Sequence, residues 1–120
     1  NIELIPIDGP EVDALLKRHR FFSRGTIPAG TYPGVAGVAT LNVDAQWITS
    51  SAQSDELVYR ITKALWNANS RRLLDSGHAK GKDITLETAL KGVAIPLHPG
   101  ARRYYREMGM IDASGSGRSR

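Results

Sequence analysis

Apolar residues fall in short blocks along the chain, and the spacing within each block predicts an element. Ile2, Leu4, Ile5 and Ile7 form a run closed by Pro6 and by Asp8-Gly9-Pro10, the pattern of a buried strand that ends in a turn. A helix is predicted next. Pro10 suits its first turn, Glu11 and Asp13 complement the positive helix start, and Val12, Leu15 and Leu16 give an apolar face ahead of Lys17, Arg18, His19 and Arg20. Phe21 and Phe22 anchor its exit. From Gly25 to Gly37, four glycines and two prolines predict an ordered loop of tight turns. Leu41, Val43, Ala45 and Trp47 then alternate with polar residues, which predicts a strand from Thr40 to Thr49.

Ser54 is placed to cap a helix with Asp55 and Glu56 in its first turn, and Val58, Ile61, Leu65 and Ala68 recur on one face. Gly77 and Gly81 break the pattern after Leu73 and Leu74. Thr85 caps a short predicted helix with Leu86 and Leu90 one turn apart, ending at Gly92. Pro99 opens a last helix in which Ala101, Tyr104, Tyr105 and Met108 share a side, and Gly109 stops it. The segments divide the chain into residues 1–112 and a Ser/Gly-rich tail at 113–120, which lacks apolar anchors and is expected to be disordered.

Length and composition narrow the classes. A chain of 120 residues with 41% hydrophobic content supports one compact core at most. No run approaches the roughly 20 apolar residues that span a bilayer, and no signal peptide precedes the first predicted strand, so a soluble chain is expected. Cysteine is absent, which excludes disulfides and thiolate chemistry. Of the net charge of +4, Arg118 and Arg120 in the tail supply two.

Candidate chemistry is sparse. His19, His78 and His98 lack the spacing of a metal-binding helix, so no metal and no cofactor is expected. His98, between two prolines and ahead of a helix start, is read as a structural turn residue, with capping of the helix or contact with an anion as the alternatives. Ser50, Ser51 and Ser54 lack the glycine frame of a nucleophile elbow, and no catalytic residue is assigned. Basic clusters at Lys17–Arg20 and Arg102–Arg106 accompany Phe21, Phe22, Tyr104 and Tyr105, which motivates a small basic nucleic-acid-binding domain as the alternative function. Core packing accounts for those aromatic residues more simply, as it does for Trp47 and Trp66. The loop Thr26-Ile27-Pro28-Ala29-Gly30-Thr31-Tyr32-Pro33-Gly34 stands apart, because it joins stiff prolines and close-approach glycines to hydroxyls and a phenol.

That loop resembles the Ile-Pro-x-Gly-x-Tyr-x-Gly segment of the TAXI-type solute receptors of TRAP transporters, known in some bacteria as an immunogenic surface protein. Leu57–Trp66 is similar to the family's long helix, and Ile95-Pro96-Leu97-His98-Pro99-Gly100-Ala101 with Tyr104–Glu107 to its closing element. The collinear resemblance covers Ile2 to Met110. It implies an α/β fold, the carboxy-terminal part of a type II periplasmic binding protein, with strands and helices of one lobe plus the hinge. It further implies a periplasmic protein, not an enzyme, that binds a small organic anion or amino acid such as glutamate or a dicarboxylate and delivers it to a TRAP transporter membrane subunit. Tyr32, Thr31 and Thr26 are the expected ligand-binding residues, with locking of the loop as the alternative role for Tyr32. Val35-Ala36-Gly37 stands where carboxylates are usual, and Trp47 where a smaller aliphatic residue is usual. The receptor's amino-terminal lobe has no counterpart in these residues, so that lobe is an expected partner and self-association an expected consequence.

Overall fold

The computed structural model describes residues 2–112, so the predicted tail at 113–120 lies outside the described residues. The elements run α1 (Pro10–Arg18), β1 (Phe22–Ile27), β2 (Val38–Val43), α2 (Asp55–Leu65), α3 (Ala68–Gly77), a short 3-10 helix (Ala79–Asp83) and α4 (Pro99–Glu107). Helices and one small two-stranded sheet make a mixed architecture compatible with the α/β class. The chain separates into two compact units, one holding the residues up to Gln46 with Lys91–Ala94, the other Trp47–Leu90 with the chain from Ile95 onward.

In the first unit β1 and β2 pair antiparallel, from Phe22 opposite Val43 to Ile27 opposite Val38. The sequence placed a strand at Thr40–Thr49 and a loop from Gly25, and both bounds move. Gly25 belongs inside β1 because the Asn42 side chain lies where a Cβ would be, the close approach for which a strand uses glycine. Pairing with β1 limits β2 to Val43, and beyond it Gln46 Nε2 donates to Gly92 O at 2.5 Å instead of extending a ladder. The run Ile2–Ile7 is not a buried strand either. Pro6 has no N–H to donate, a single bond from Ile7 N to Ala39 O at 3.0 Å reaches β2, and Ile5 is 84% exposed. α1 forms as predicted, with Pro10 in its first turn and Val12 buried.

The second unit carries the aromatic core of Tyr104, Tyr105 and Ile111, against which Tyr59, Trp66, Leu86 and Leu97 pack. Tyr104 and Tyr105 meet at 5.8 Å in a T-shaped arrangement, worth about 0.5–1.5 kcal/mol beyond the area they bury. α2 starts where the sequence put it, with Ser54 Oγ accepting from Leu57 N at 3.2 Å. Its pattern continues to Ala68, but the helix ends at Leu65. Asn67 begins α3 instead, accepting from Ser70 N at 2.9 Å, because a short amide side chain competes better as a cap than as an interior residue. Residues 86–92 form turns and not the predicted helix: Thr85 does accept from Thr88 N at 3.3 Å, yet the cap propagates no further. α4 runs between its predicted signals. Met110 N reaches Tyr105 O and Gly109 N reaches Arg106 O, the paired bonds of a Schellman stop, with Gly109 at φ 69°.

Candidate functional site

The hairpin loop between β1 and β2 is built from its own backbone. Gly30 N bonds Val35 O at 3.2 Å, Val35 N bonds Tyr32 O at 3.1 Å and Thr31 N bonds Pro28 O at 3.2 Å, while Gly30 and Gly34 take φ of 78° and 75°. Two successive turns therefore hold residues 28–35 in one shape, which keeps the loop ordered without a hydrophobic anchor. Tyr32 projects from it, 42% exposed. Thr31 is committed inward: its Oγ1 donates to Pro28 O at 2.8 Å. Thr26 lies on β1, exposed and opposite Ala39. The three residues singled out in the sequence do not share a hydrogen bond, and only Thr31 and Tyr32 sit in one turn.

Arg24 lies two residues before Thr26, hence on the same side of β1. Sequence reasoning passed over it. Its Nη1 donates to Asp8 at 2.5 Å and its Nη2 to Asp13, so one guanidinium ties the turn ahead of α1 and the first turn of α1 to the sheet. The Arg24 hydrogen bond holds the Asp8 carboxyl below its usual range, and the two carboxylates raise Arg24 in turn. Lys91 Nζ donates to Arg24 O at 3.1 Å. A lone arginine between Ser23 and Gly25 gives no local sign of partners 11 and 16 residues away.

His98 caps α4, a role the sequence offered beside an anion contact while favouring a turn residue. Its Nδ1 accepts from Gly100 N at 3.2 Å and its Nε2 faces Gln53 O at 3.1 Å, a pair of partners that assigns the proton to Nε2. The side chain is only 7% exposed, both nitrogens are engaged, and the carboxylate nearest the ring is the chain's own Asp55, 3.9 Å from Nδ1. Gly100 completes this clasp: a Cβ there would overlap Asp55 O and lie 2.7 Å from Tyr59 N, so α4 can meet α2 this closely only through glycine. Further along the two helices, Tyr59 donates to Glu107 at 2.7 Å, and Arg103 stacks 4.0 Å over the Tyr59 ring while bonding Glu56 at 3.1 Å. The Tyr59 hydrogen bond lowers the Glu107 carboxyl and raises the phenol.

These placements bear on the other readings. Tyr104 and Tyr105 are buried in the core, which removes them as a base-stacking platform beside Arg102–Arg106. Phe21 and Phe22 pack on each other at 4.5 Å. Among the described residues no three of His, Asp and Glu gather as a metal site, and no helix is long and apolar enough to cross a membrane.

The loop is closed by its own backbone bonds with one exposed phenol, and His98 is engaged in capping α4. The chain belongs to the NMT1-like family, whose sequence model matches residues 1–109. This is the family of TAXI-type TRAP solute-binding receptors and related periplasmic binding proteins. Members of this family are binding proteins and not enzymes, and the membership carries an extracytoplasmic solute-binding role toward a small molecule.

Proposed function

We propose that the chain serves as a TAXI-type receptor of a TRAP transporter, with the type II periplasmic binding fold. In this role it takes up a small organic anion, such as glutamate or a dicarboxylate, and delivers it to the membrane subunit. The observation that carries the reading is the family match across residues 1–109, which includes the hairpin loop and both elements of the clasp. Such receptors gain affinity by enclosing a solute among backbone donors and hydroxyls while excluding water. In this chain Tyr32 is assigned the contact from the loop, Thr31 the maintenance of the loop's shape through Pro28 O, and Thr26 a hydroxyl presented from β1.

Isothermal titration of the protein against a panel of amino acids and dicarboxylates tests this. Saturable heat with at least one acid is expected. Tyr32→Ala should then weaken that affinity by about tenfold, equivalent to ~1.4 kcal/mol, while leaving the urea midpoint unchanged. A panel without a single binder removes the solute class, and full affinity in Tyr32→Ala removes the loop from the site.

A further inference from the structure

The two faces of the hairpin differ in how their polar groups are met. Arg24 and Thr26 share one side, where Asp8 and Asp13 engage the guanidinium. Ser23 and Gly25 share the other, at the end of the hairpin away from its loop. Asn42 is the register partner of Ser23, and its side chain lies over Gly25, where a Cβ would collide with the amide. Asp44 follows two residues later. It and Gln46 both reach Gly92: Gln46 Nε2 donates to Gly92 O at 2.5 Å, and a Cβ on Gly92 would lie 2.5 Å from Asp44 Oδ2. Gly92 takes φ 69°, so a glycine both adopts this turn and leaves room for the carboxylate. Ser23, Asn42 and Asp44 thus form a polar row that Gly92 closes at one end, all within the first unit.

The fold leaves this row unmet. Ser23 is 8% exposed, and its Oγ and the Oδ2 of Asp44 are buried with no hydrogen-bond partner. Among the described residues neither the Asp44 carboxylate nor the Asn42 amide makes a side-chain hydrogen bond or an ion pair. Lys91, the neighbour of Gly92, donates instead to Arg24 O at 3.1 Å. A polar group removed from water without a partner costs free energy, and a ligand with complementary donors recovers it. Asp44 itself is half-buried and Asn42 exposed, so a small group can approach both from solvent.

We infer that this row binds a primary alkylammonium group. Its N–H donors meet the outer oxygen of Asp44 and Oδ1 of Asn42, while the Asn42 amide nitrogen turns to donate to Ser23 Oγ, so that all three side chains gain a partner together. An ammonium carries three donors and no acceptor, which suits a row of acceptors. A guanidinium needs both oxygens of a carboxylate for its fork, and Gly92 covers one of them. A calcium ion needs about six oxygens or more, and this row offers a single carboxylate. The site lies on the face opposite Thr26, is independent of the loop around Tyr32 and does not rest on the solute reading.

The test follows the amide resonances of the isotope-labelled protein by NMR at neutral pH during titration with n-butylamine, and in parallel with tetramethylammonium, a cation that has no N–H. Saturable shifts at Asn42, Asp44 and Gly92 are expected with the amine and not with tetramethylammonium. A capped lysine amide presents the same group as a side chain. Tighter binding than n-butylamine would assign the site to a lysine of a partner protein, and equal or weaker binding to a free amine. Asp44→Asn should reduce amine affinity by at least about tenfold, and Ser23→Ala by a smaller factor through the freed Asn42 amide. Because the Asp44 charge has no partner in the fold, Asp44→Asn should leave the urea midpoint unchanged or raise it, whereas a purely structural carboxylate would lower it. Absence of saturable shifts in the unaltered protein, full affinity in Asp44→Asn, or a lowered midpoint overturns the inference. So do equal shifts with tetramethylammonium, which show unspecific charge attraction, and displacement of the amine by calcium at the same amides, which assigns the row to a metal ion.

Discussion

Replacing Gly100 with alanine separates two physical effects that oppose each other. Gly100 is in the first turn of α4, where helix propensity alone makes alanine the better residue by about 0.5–1 kcal/mol. The added methyl would overlap Asp55 O and lie 2.7 Å from Tyr59 N, and both atoms belong to the backbone of α2, which has no rotamer to change. The start of α4 must therefore move away from α2. Overpacking of this kind costs about 1–3 kcal/mol, and stretching the contact between His98 Nε2 and Gln53 O adds about 1 kcal/mol. The net expectation is a destabilisation of about 1–3 kcal/mol, the sum of these terms less the propensity gain. Urea denaturation followed by circular dichroism measures it, and the shift should appear as a lower midpoint at unchanged slope. An unchanged or higher midpoint would refute the close approach, because only propensity would then be acting.

Two further outcomes follow from the same structure. Asn67→Ala removes the acceptor for Ser70 N and should cost about 1 kcal/mol, with faster amide exchange in the first turn of α3 and unchanged exchange in α4. The carboxyls of Glu107 and Asp8 are both lowered in the folded chain, Glu107 chiefly by the Tyr59 hydrogen bond and Asp8 chiefly by that of Arg24. A lowered carboxyl contributes stability that is present above its unfolded pKa and is lost as pH falls through the folded value, so the urea midpoint should decline from about pH 5 downward. Glu107→Gln should make that acid decline shallower, and an unaltered slope would show that the Tyr59 contact carries none of it.

Elements whose start and stop chemistry is local were legible in the sequence. Pro10 with Glu11 and Asp13, Ser54 with Asp55 and Glu56, and Pro99 with Gly109 bound their helices within a few residues of where they lie, because each signal acts through the nearest turn. The features that went unread depend on partners distant in sequence. β1 was hidden by Gly25, whose use in a strand is set by Asn42 on the facing strand. The end of α2 was hidden because the apolar period runs on past Asn67 to Ala68, and the turn is closed by the bonds of Ser70 N to Asn67 Oδ1 at 2.9 Å and Ser70 Oγ to Ala64 O at 2.6 Å. At the candidate site, the loop's shape was legible from its prolines and glycines, whereas the inward commitment of Thr31 and the carboxylates that engage Arg24 were not.

The resemblance drawn from the sequence rested on three segments, and the structure gives two of them a common physical purpose. The Leu57–Trp66 stretch and the Ile95–Ala101 stretch meet through Gly100, His98 and the Tyr59 cluster, so their residue types follow from one helix–helix contact. Packing of this kind explains why such residues persist in a fold, and it makes no demand on a solute. The hairpin loop has no comparable packing reason for its phenol: Tyr32 is neither buried nor hydrogen-bonded through its side chain among the described residues, while the turns beneath it are closed by backbone bonds. A side chain that the fold does not use, on a loop that the fold holds rigid, is where selection for binding can act without cost to stability. The solute reading therefore bears on Tyr32 far more than on the clasp. Measurements on Gly100 and on Tyr32 should separate accordingly, the first changing stability and the second affinity.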